Sequence, residues 1–154
     1  GAAYAAGCQL AASCDLAYST NSATFATPGV KIGLFCSTPM VAVSRKISRK
    51  RMMEMLLTGD PINAKYAKEI GLINDHFSPK ILNKKVLDIA KKISSKSNLT
   101  IKIGKNGFYK QLEMPLGKAY DYTSKMMTLN MDSYDAKEGI SAFIEKRKPS
   151  WKNK

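Results

Sequence analysis

The chain has 154 residues, with 25 Lys or Arg against 12 Asp or Glu, one His and three Cys. That length holds one domain with a sizeable core, and no apolar run approaches a membrane span. An odd cysteine count with a single histidine excludes a disulfide framework and leaves a Cys/His metal site without support. The net charge of +13 is uneven: residues 1–30 carry no Lys or Arg, so all 25 cations fall in 31–154. Such a field favours a phosphate-bearing partner, whether a nucleotide cofactor, a nucleic acid or an anionic membrane.

The first sixteen residues, Gly1 to Leu16, consist mostly of Ala, Gly and Cys, with Asp15 their only charge. A tight turn there leads into a helix from Gly7, with Leu10 and Cys14 four apart. Two readings stand side by side: a core helix packed closely through small residues, or a helix N-terminus whose free N–H groups hold an anion or a polarised carbonyl. Cys8, Cys14 and Cys36 read as small buried hydrophobes of a reducing compartment. Short strands are expected at Leu16–Ser19 and Thr24–Ala26 around an Asn21-Ser22 turn. Val30–Phe35 reads as a packed loop, and Pro39 opens a helix toward Ile47. Ser48 is placed to cap Arg49–Leu57, whose Met52, Met53, Leu56 and Leu57 recur at helical spacing. Asn63 caps a short helix, Ala64–Ile70, closed by Gly71. Leu72–Asn74 reads as a strand and His76, at its end, as a surface residue.

From Ser78-Pro79 an amphipathic helix runs to about Ser95, with Ile81, Leu82, Val86, Ile89, Ala90 and Ile93 on one stripe and lysines opposite. Further helices are expected over Ile101–Leu112 and Leu116–Met131. A last one, capped by Asp132 or Ser133, holds Gly139, Ile140, Phe143 and Ile144. The cluster from Arg45 to Arg51 reads as a solvated helix junction or, more sharply, as a nucleic-acid patch. Sparse aromatic interleaving weakens base stacking there, so nucleic acid is not the expected partner.

Four segments together resemble one family. Residues 3–15 (AYAAGCQLAASCD) are similar to the glycine-rich signature of the enoyl-CoA hydratase/isomerase, or crotonase, superfamily, and 25–33 (FATPGVKIG) to its next active-site segment. Residues 53–73 resemble its helix–turn–helix and 139–149 (GISAFIEKRKP) its C-terminal helix. The order and spacing across the chain make this far more specific than one motif. The resemblance implies an α/β fold: the C-terminal part of a crotonase (ClpP/crotonase-like) spiral of ββα turns, followed by a helical region. On that reading 1–77 are the end of the spiral core and 78–154 the helical region of the same domain, whose N-terminal part is missing. Any leader would lie there too.

The resemblance also implies a chemistry. Family members bind acyl-CoA and polarise its thioester oxygen with two backbone N–H groups. One matches the amide of Ala6, where the family usually has glycine; its partner would lie in the missing part. The hydratases add two glutamates that activate water, and their positions here are Gln9 and Gly29. Glutamine orients water but exchanges no proton near neutrality, and glycine does neither. Restoring glutamate at both positions is therefore expected to raise hydration.

Phe143 and Lys146, spaced i and i+3, match family positions that approach the coenzyme A nucleotide. The alternative is an ordinary core ring and a solvated tail lysine. The expected function is acyl-CoA binding in mitochondrial fatty-acid metabolism with weak or no hydratase activity, and coenzyme A thioester as the ligand. A homo-oligomer, a trimer or dimer of trimers, is expected, with no metal and no membrane span. The alternatives are an active hydratase or isomerase drawing a carboxylate from elsewhere, and an RNA-binding crotonase-fold protein.

Overall fold

Strand β1 (Ala2–Tyr4) turns abruptly at Ala5 into helix α1 (Ala6–Ser13). The computed structural model describes residues 1–154, which divide into two compact units, Gly1–Leu87 and Asp88–Lys154. In the first unit α1 is followed by β2 (Tyr18–Thr20), β3 (Thr24–Ala26) and a 3-10 turn over Pro28–Ile32. Then come α2 (Ser37–Val43), α3 (Arg49–Thr58), β4 (Ile62–Asn63), α4 (Ala64–Glu69), β5 (Asp75–Phe77) and α5 (Pro79–Ser94), which runs past the unit boundary. β1 pairs parallel with β3, placing Ala3 beside Phe25, and β3 pairs antiparallel with β4. β2 and β5 form a separate parallel pair, Tyr18 beside Asp75. The expected tight turn at the start is thus a strand: Ala-Ala-Tyr has little strand preference of its own and is held by its partner β3.

The core of this unit gathers Cys8 and Ala12 from α1, Phe25 from β3, Val43 from α2, and Met52, Met55 and Leu56 from α3. Small buried residues on α1 let its backbone come close to its neighbours. Leu72 and Ile73 are buried but lie in a turn rather than a strand. Asn74 clamps that turn, its N–H donating to the Ala17 carbonyl at 2.8 Å and its Oδ1 accepting from the Ala17 N–H at 2.7 Å. Pairing then begins at Asp75, three residues later than the apolar pattern suggested. Asn63 caps α4 through its side chain, accepting from the Tyr66 N–H at 2.8 Å. Gly71 closes the helix at φ 83°, a backbone state that glycine adopts without strain. Ser48 occupies the N-cap of α3 without a side-chain bond. His76 Nδ1 and Asn21 Oδ1, 2.8 Å apart, tie the 21–22 turn to β5. Cys14 is exposed, against expectation, because α1 ends at Ser13 and the chain turns outward; Cys8 and Cys36 are buried.

The second unit holds α6 (Asn98–Gln111), α7 (Leu116–Met131) and α8 (Tyr134–Ile144). α6 begins three residues earlier than its apolar pattern implies, because the Ser97 hydroxyl caps it by accepting from the Thr100 N–H. α6 and α7 meet where Gly107 leaves space: a Cβ there would overlap the Met126 thioether. The C-terminal segment is fastened to α8. Buried Asp135 accepts from the Ser97 hydroxyl at 2.5 Å and from the N–H groups of Lys152 and Asn153 at 2.7 and 3.0 Å. Burial opposes its charge, but these hydrogen bonds outweigh it and hold the carboxyl below its ordinary range.

Glu138 accepts from Arg147 Nη1 and Nη2 at 2.6 and 2.9 Å and from the Ser150 N–H at 2.8 Å, which lowers its pKa to about 2. Trp151, the only tryptophan, donates from Nε1 to the Ser95 carbonyl at 2.9 Å. Both carboxyls are depressed, so the stability they give is full above their ordinary values of 3.8 and 4.5. It is lost as pH falls toward about 2, where Glu138 takes up its proton. Trp151 fluorescence is therefore expected to stay constant from neutrality to about pH 4.5 and to change below it. Glu138→Gln should weaken the fastening already at neutral pH; an unchanged acid profile in that variant would show that the Arg147 pair does not hold the segment.

Candidate functional site

The first unit builds a cavity of about 590 Å³ where the start of α1 meets the loop between β3 and α2. Ala6, Gly29, Ile32, Leu34, Phe35 and Cys36 contribute to its wall. The wall holds no carboxylate; its one charged residue, Lys31, is paired with Asp60 at 2.7 Å. Two of the residues singled out from sequence, Ala6 and Gly29, thus meet at one cavity. Gln9 is half-buried on α1 and is not part of that wall.

The geometry at Ala6 follows from Ala5. Its N–H donates to the Ala26 carbonyl at 3.0 Å, which pins it to β3, and its φ of 46° with ψ of −112° reverses the chain sharply. A side chain at positive φ costs about 1–3 kcal/mol, and such strain gathers where a site needs it. The first donor inside α1 is the Gln9 N–H, to the Ala5 carbonyl at 3.0 Å. The N–H groups of Ala6, Gly7 and Cys8 precede it in the first turn, where no intrahelical acceptor exists. With the positive end of the helix dipole they favour an oxygen carrying partial negative charge. Sequence reasoning missed Ala5 because positive φ is normally signalled by glycine or asparagine.

Gly29 is buried, and its surroundings are closed. Its N–H donates to Cys36 Sγ at 3.3 Å and its carbonyl accepts from the Leu34 N–H at 3.0 Å. A Cβ at this position would lie 3.0 Å from Cys36 Sγ and 3.0 Å from the Leu34 carbonyl oxygen. From beneath, Gly59 (φ 65°) supports the same turn: a side chain there would press on Val30 and Pro28 at 3.1 and 3.2 Å. Cys8, buried nearby on α1, has its pKa raised to about 11, chiefly by burial and then by Cys36. It stays a thiol at neutral pH and supplies no base. No group of three or more His, Cys, Asp or Glu side chains could hold a metal ion, and no helix is long and apolar enough to cross a membrane.

In the second unit Phe143 is 85% exposed on α8, so it is not a core ring. Lys146 is exposed too, but beyond the helix, which ends at Ile144, so the i, i+3 face expected for the pair is not continuous helix. A turn replaces it: the Lys146 N–H donates to the Phe143 carbonyl at 3.3 Å and the Arg147 N–H to that of Ala142 at 3.0 Å. Lys146 takes the left-handed position, φ 55°, usually filled by glycine.

The sequence matches the enoyl-CoA hydratase/isomerase family over residues 1–154. It is 51% identical over 151 residues to mouse enoyl-CoA hydratase domain-containing protein 3, mitochondrial, covering 98% of this chain and 50% of that protein. It is 33% identical to mitochondrial enoyl-CoA hydratase of Pongo abelii, covering 99% of this chain and 53% of the relative. Among solved structures, human enoyl-CoA hydratase domain-containing protein 3 superposes with a TM-score of 0.95 at 50% identity, over 98% of this chain and 60% of that one. An enoyl-CoA hydratase of Mycobacterium smegmatis superposes at 0.96 and 46% identity, over 98% and 59%. The chain therefore spans about half the length of the relatives it matches. Its short paired strands followed by helices have the α/β fold of the C-terminal part of a crotonase. The chain belongs to the enoyl-CoA hydratase/isomerase family.

Proposed function

We propose that this protein binds acyl-CoA in mitochondrial fatty-acid metabolism and carries weak or no hydratase activity. The observation that supports this most directly is that Ala6, at the head of α1, lies on the wall of an apolar cavity that holds no carboxylate. Hydration of an enoyl thioester needs an oxyanion donor, a base that takes a proton from water, and an acid that delivers one to the α-carbon. The chain offers the donor. At the family's two glutamate positions it has Gln9, which cannot exchange a proton, and Gly29, which has no side chain. The mitochondrial setting rests on the named relatives. A homo-oligomer, trimer or dimer of trimers, belongs to the same proposal; Ile140 and Ile144, exposed on α8, support a face that another copy covers.

Calorimetric titration with a non-hydrolysable acyl-CoA analogue, beside a crotonyl-CoA hydration assay, tests the proposal. Binding without turnover is expected. Turnover would mean that a carboxylate outside these residues does the work, and absence of binding would remove the proposal.

Phe143 and Lys146 are assigned to the nucleotide end of the ligand, a ring for the adenine and a cation for phosphate. The left-handed Lys146 gives this a separable test. Lys146→Gly is expected to stabilise the fold by about 1 kcal/mol, by relieving positive φ. It should at the same time weaken binding of the coenzyme A thioester but not of the matching pantetheine thioester, which lacks the nucleotide. Equal loss for both, or no loss, would remove Lys146 from the site.

A further inference from the structure

The densest charge on the chain lies outside the cavity just described. Between Asp15 and Asp60 the only acidic residue is Glu54, while Arg45, Lys46, Arg49, Lys50 and Arg51 follow one another within seven positions. All five are exposed. Arg45 Nη1 donates to the Val41 carbonyl at 2.9 Å, which holds its guanidinium against the end of α2. Arg51 pairs with Glu54 at 3.1 Å and lies 5.4 Å from the centre of the Tyr66 ring.

Exposed apolar side chains adjoin this charge. α3 turns Met52, Met55 and Leu56 into the core, and its opposite side carries Lys50, Met53 and Leu57 at i, i+3 and i+7. Met53 and Leu57 are 50% and 63% exposed, and Val41, at the Arg45 end of α2, is 49% exposed. A nucleic-acid site would call for open rings on which bases stack. The aromatic ring beside this cluster, Tyr66, is already covered by Arg51. Cations bordering exposed aliphatic and thioether groups match a different partner: anionic headgroups at the surface, with acyl chains beneath.

We propose that the outer side of α3, with the α2–α3 turn, docks peripherally on an anionic lipid bilayer. The cations engage lipid phosphates while Val41, Met53 and Leu57 enter the headgroup boundary. The proposal does not depend on the acyl-CoA reading, since none of these residues lines the Ala6 cavity.

Flotation of the full chain with vesicles tests it, comparing phosphatidylcholine alone with phosphatidylcholine mixed with phosphatidylglycerol. Flotation is expected only with the anionic vesicles and should fall as salt rises. Arg49→Glu with Lys50→Glu is expected to lower partitioning by about 25-fold or more. Met53→Ser with Leu57→Ser should retain low-salt flotation but lose the part that survives high salt. These side chains face water, so circular dichroism should show unchanged folding; the lipid dependence of the parent chain stands as a test without any variant. No flotation of the parent, or equal flotation of the charge-reversed variant, would overturn the proposal. So would the absence of lipid binding together with salt-sensitive retention of a single-stranded oligoribonucleotide that is lost in the charge-reversed variant; that result would assign the patch to RNA.

Discussion

A Gly29→Glu variant is expected to melt earlier than the parent chain and to hydrate crotonyl-CoA no faster. The expectation from sequence is the opposite, because the resemblance matches Gly29 to a glutamate of the family's hydratases. The obstacle is local. The first side-chain carbon would stand 3.0 Å from both Cys36 Sγ and the Leu34 carbonyl oxygen, and 3.2 Å from the Cys36 nitrogen. Two of these are backbone atoms, and the loop is fastened to Gly29 itself by the Gly29–Cys36 and Leu34–Gly29 hydrogen bonds. Accommodating a Cβ therefore means opening the loop that walls the cavity. Overpacking of this kind costs about 1–3 kcal/mol, a fall in Tm of roughly 5–15 °C for a unit of this size. Gly29→Ala separates packing from chemistry: it should account for most of the loss. If Gly29→Ala melts like the parent, the loop yields freely and the packing argument fails. Gln9→Glu by itself is expected to leave hydration unchanged, since residue 9 is not part of the cavity wall.

What the sequence made legible is what short-range chemistry dictates. Asn63 and Ser133 cap helices through their side chains because that is what such residues do before a helix, and α7 spans Leu116–Met131 as its pattern implies. The opening residues were legible as a helix N-terminus because small residues cluster there. Features set by distant partners were not legible. β1 exists because β3 lies beside it. The strain at Ala5 is held by a hydrogen bond to Ala26, twenty-one positions away in sequence. The closed surroundings of Gly29 come from a sulfur seven residues later, in a loop with no repeating pattern. Phe143 shows a different limit: an apolar residue at helical spacing reads equally as core or as surface, and only packing distinguishes them.

The Ala6 amide gives the most direct test of the cavity. Ala6→Pro removes the N–H and leaves the rest of the wall in place. Proline suits the first position of a helix, because the amide it eliminates has no partner inside the helix and its fixed φ is already helical. Residue 5 is the complication, since a residue before proline is restricted and Ala5 is already at φ 46°. Ala5→Gly resolves this: alone it should stabilise the chain by about 1 kcal/mol through relief of positive φ, and it provides a background that tolerates the proline. In that background Ala6→Pro is expected to weaken binding of an acyl-CoA analogue by about tenfold, the worth of one carbonyl hydrogen bond. Any residual hydration should fall further, by about 100- to 1,000-fold, because the same donor faces a fuller negative charge in the transition state. Ala6→Ser retains the N–H and should behave as the parent. If the proline variant folds and binds as well as its Ala5→Gly parent, the amide at the head of α1 is not what holds the thioester oxygen, and the ligand must lie elsewhere on the chain.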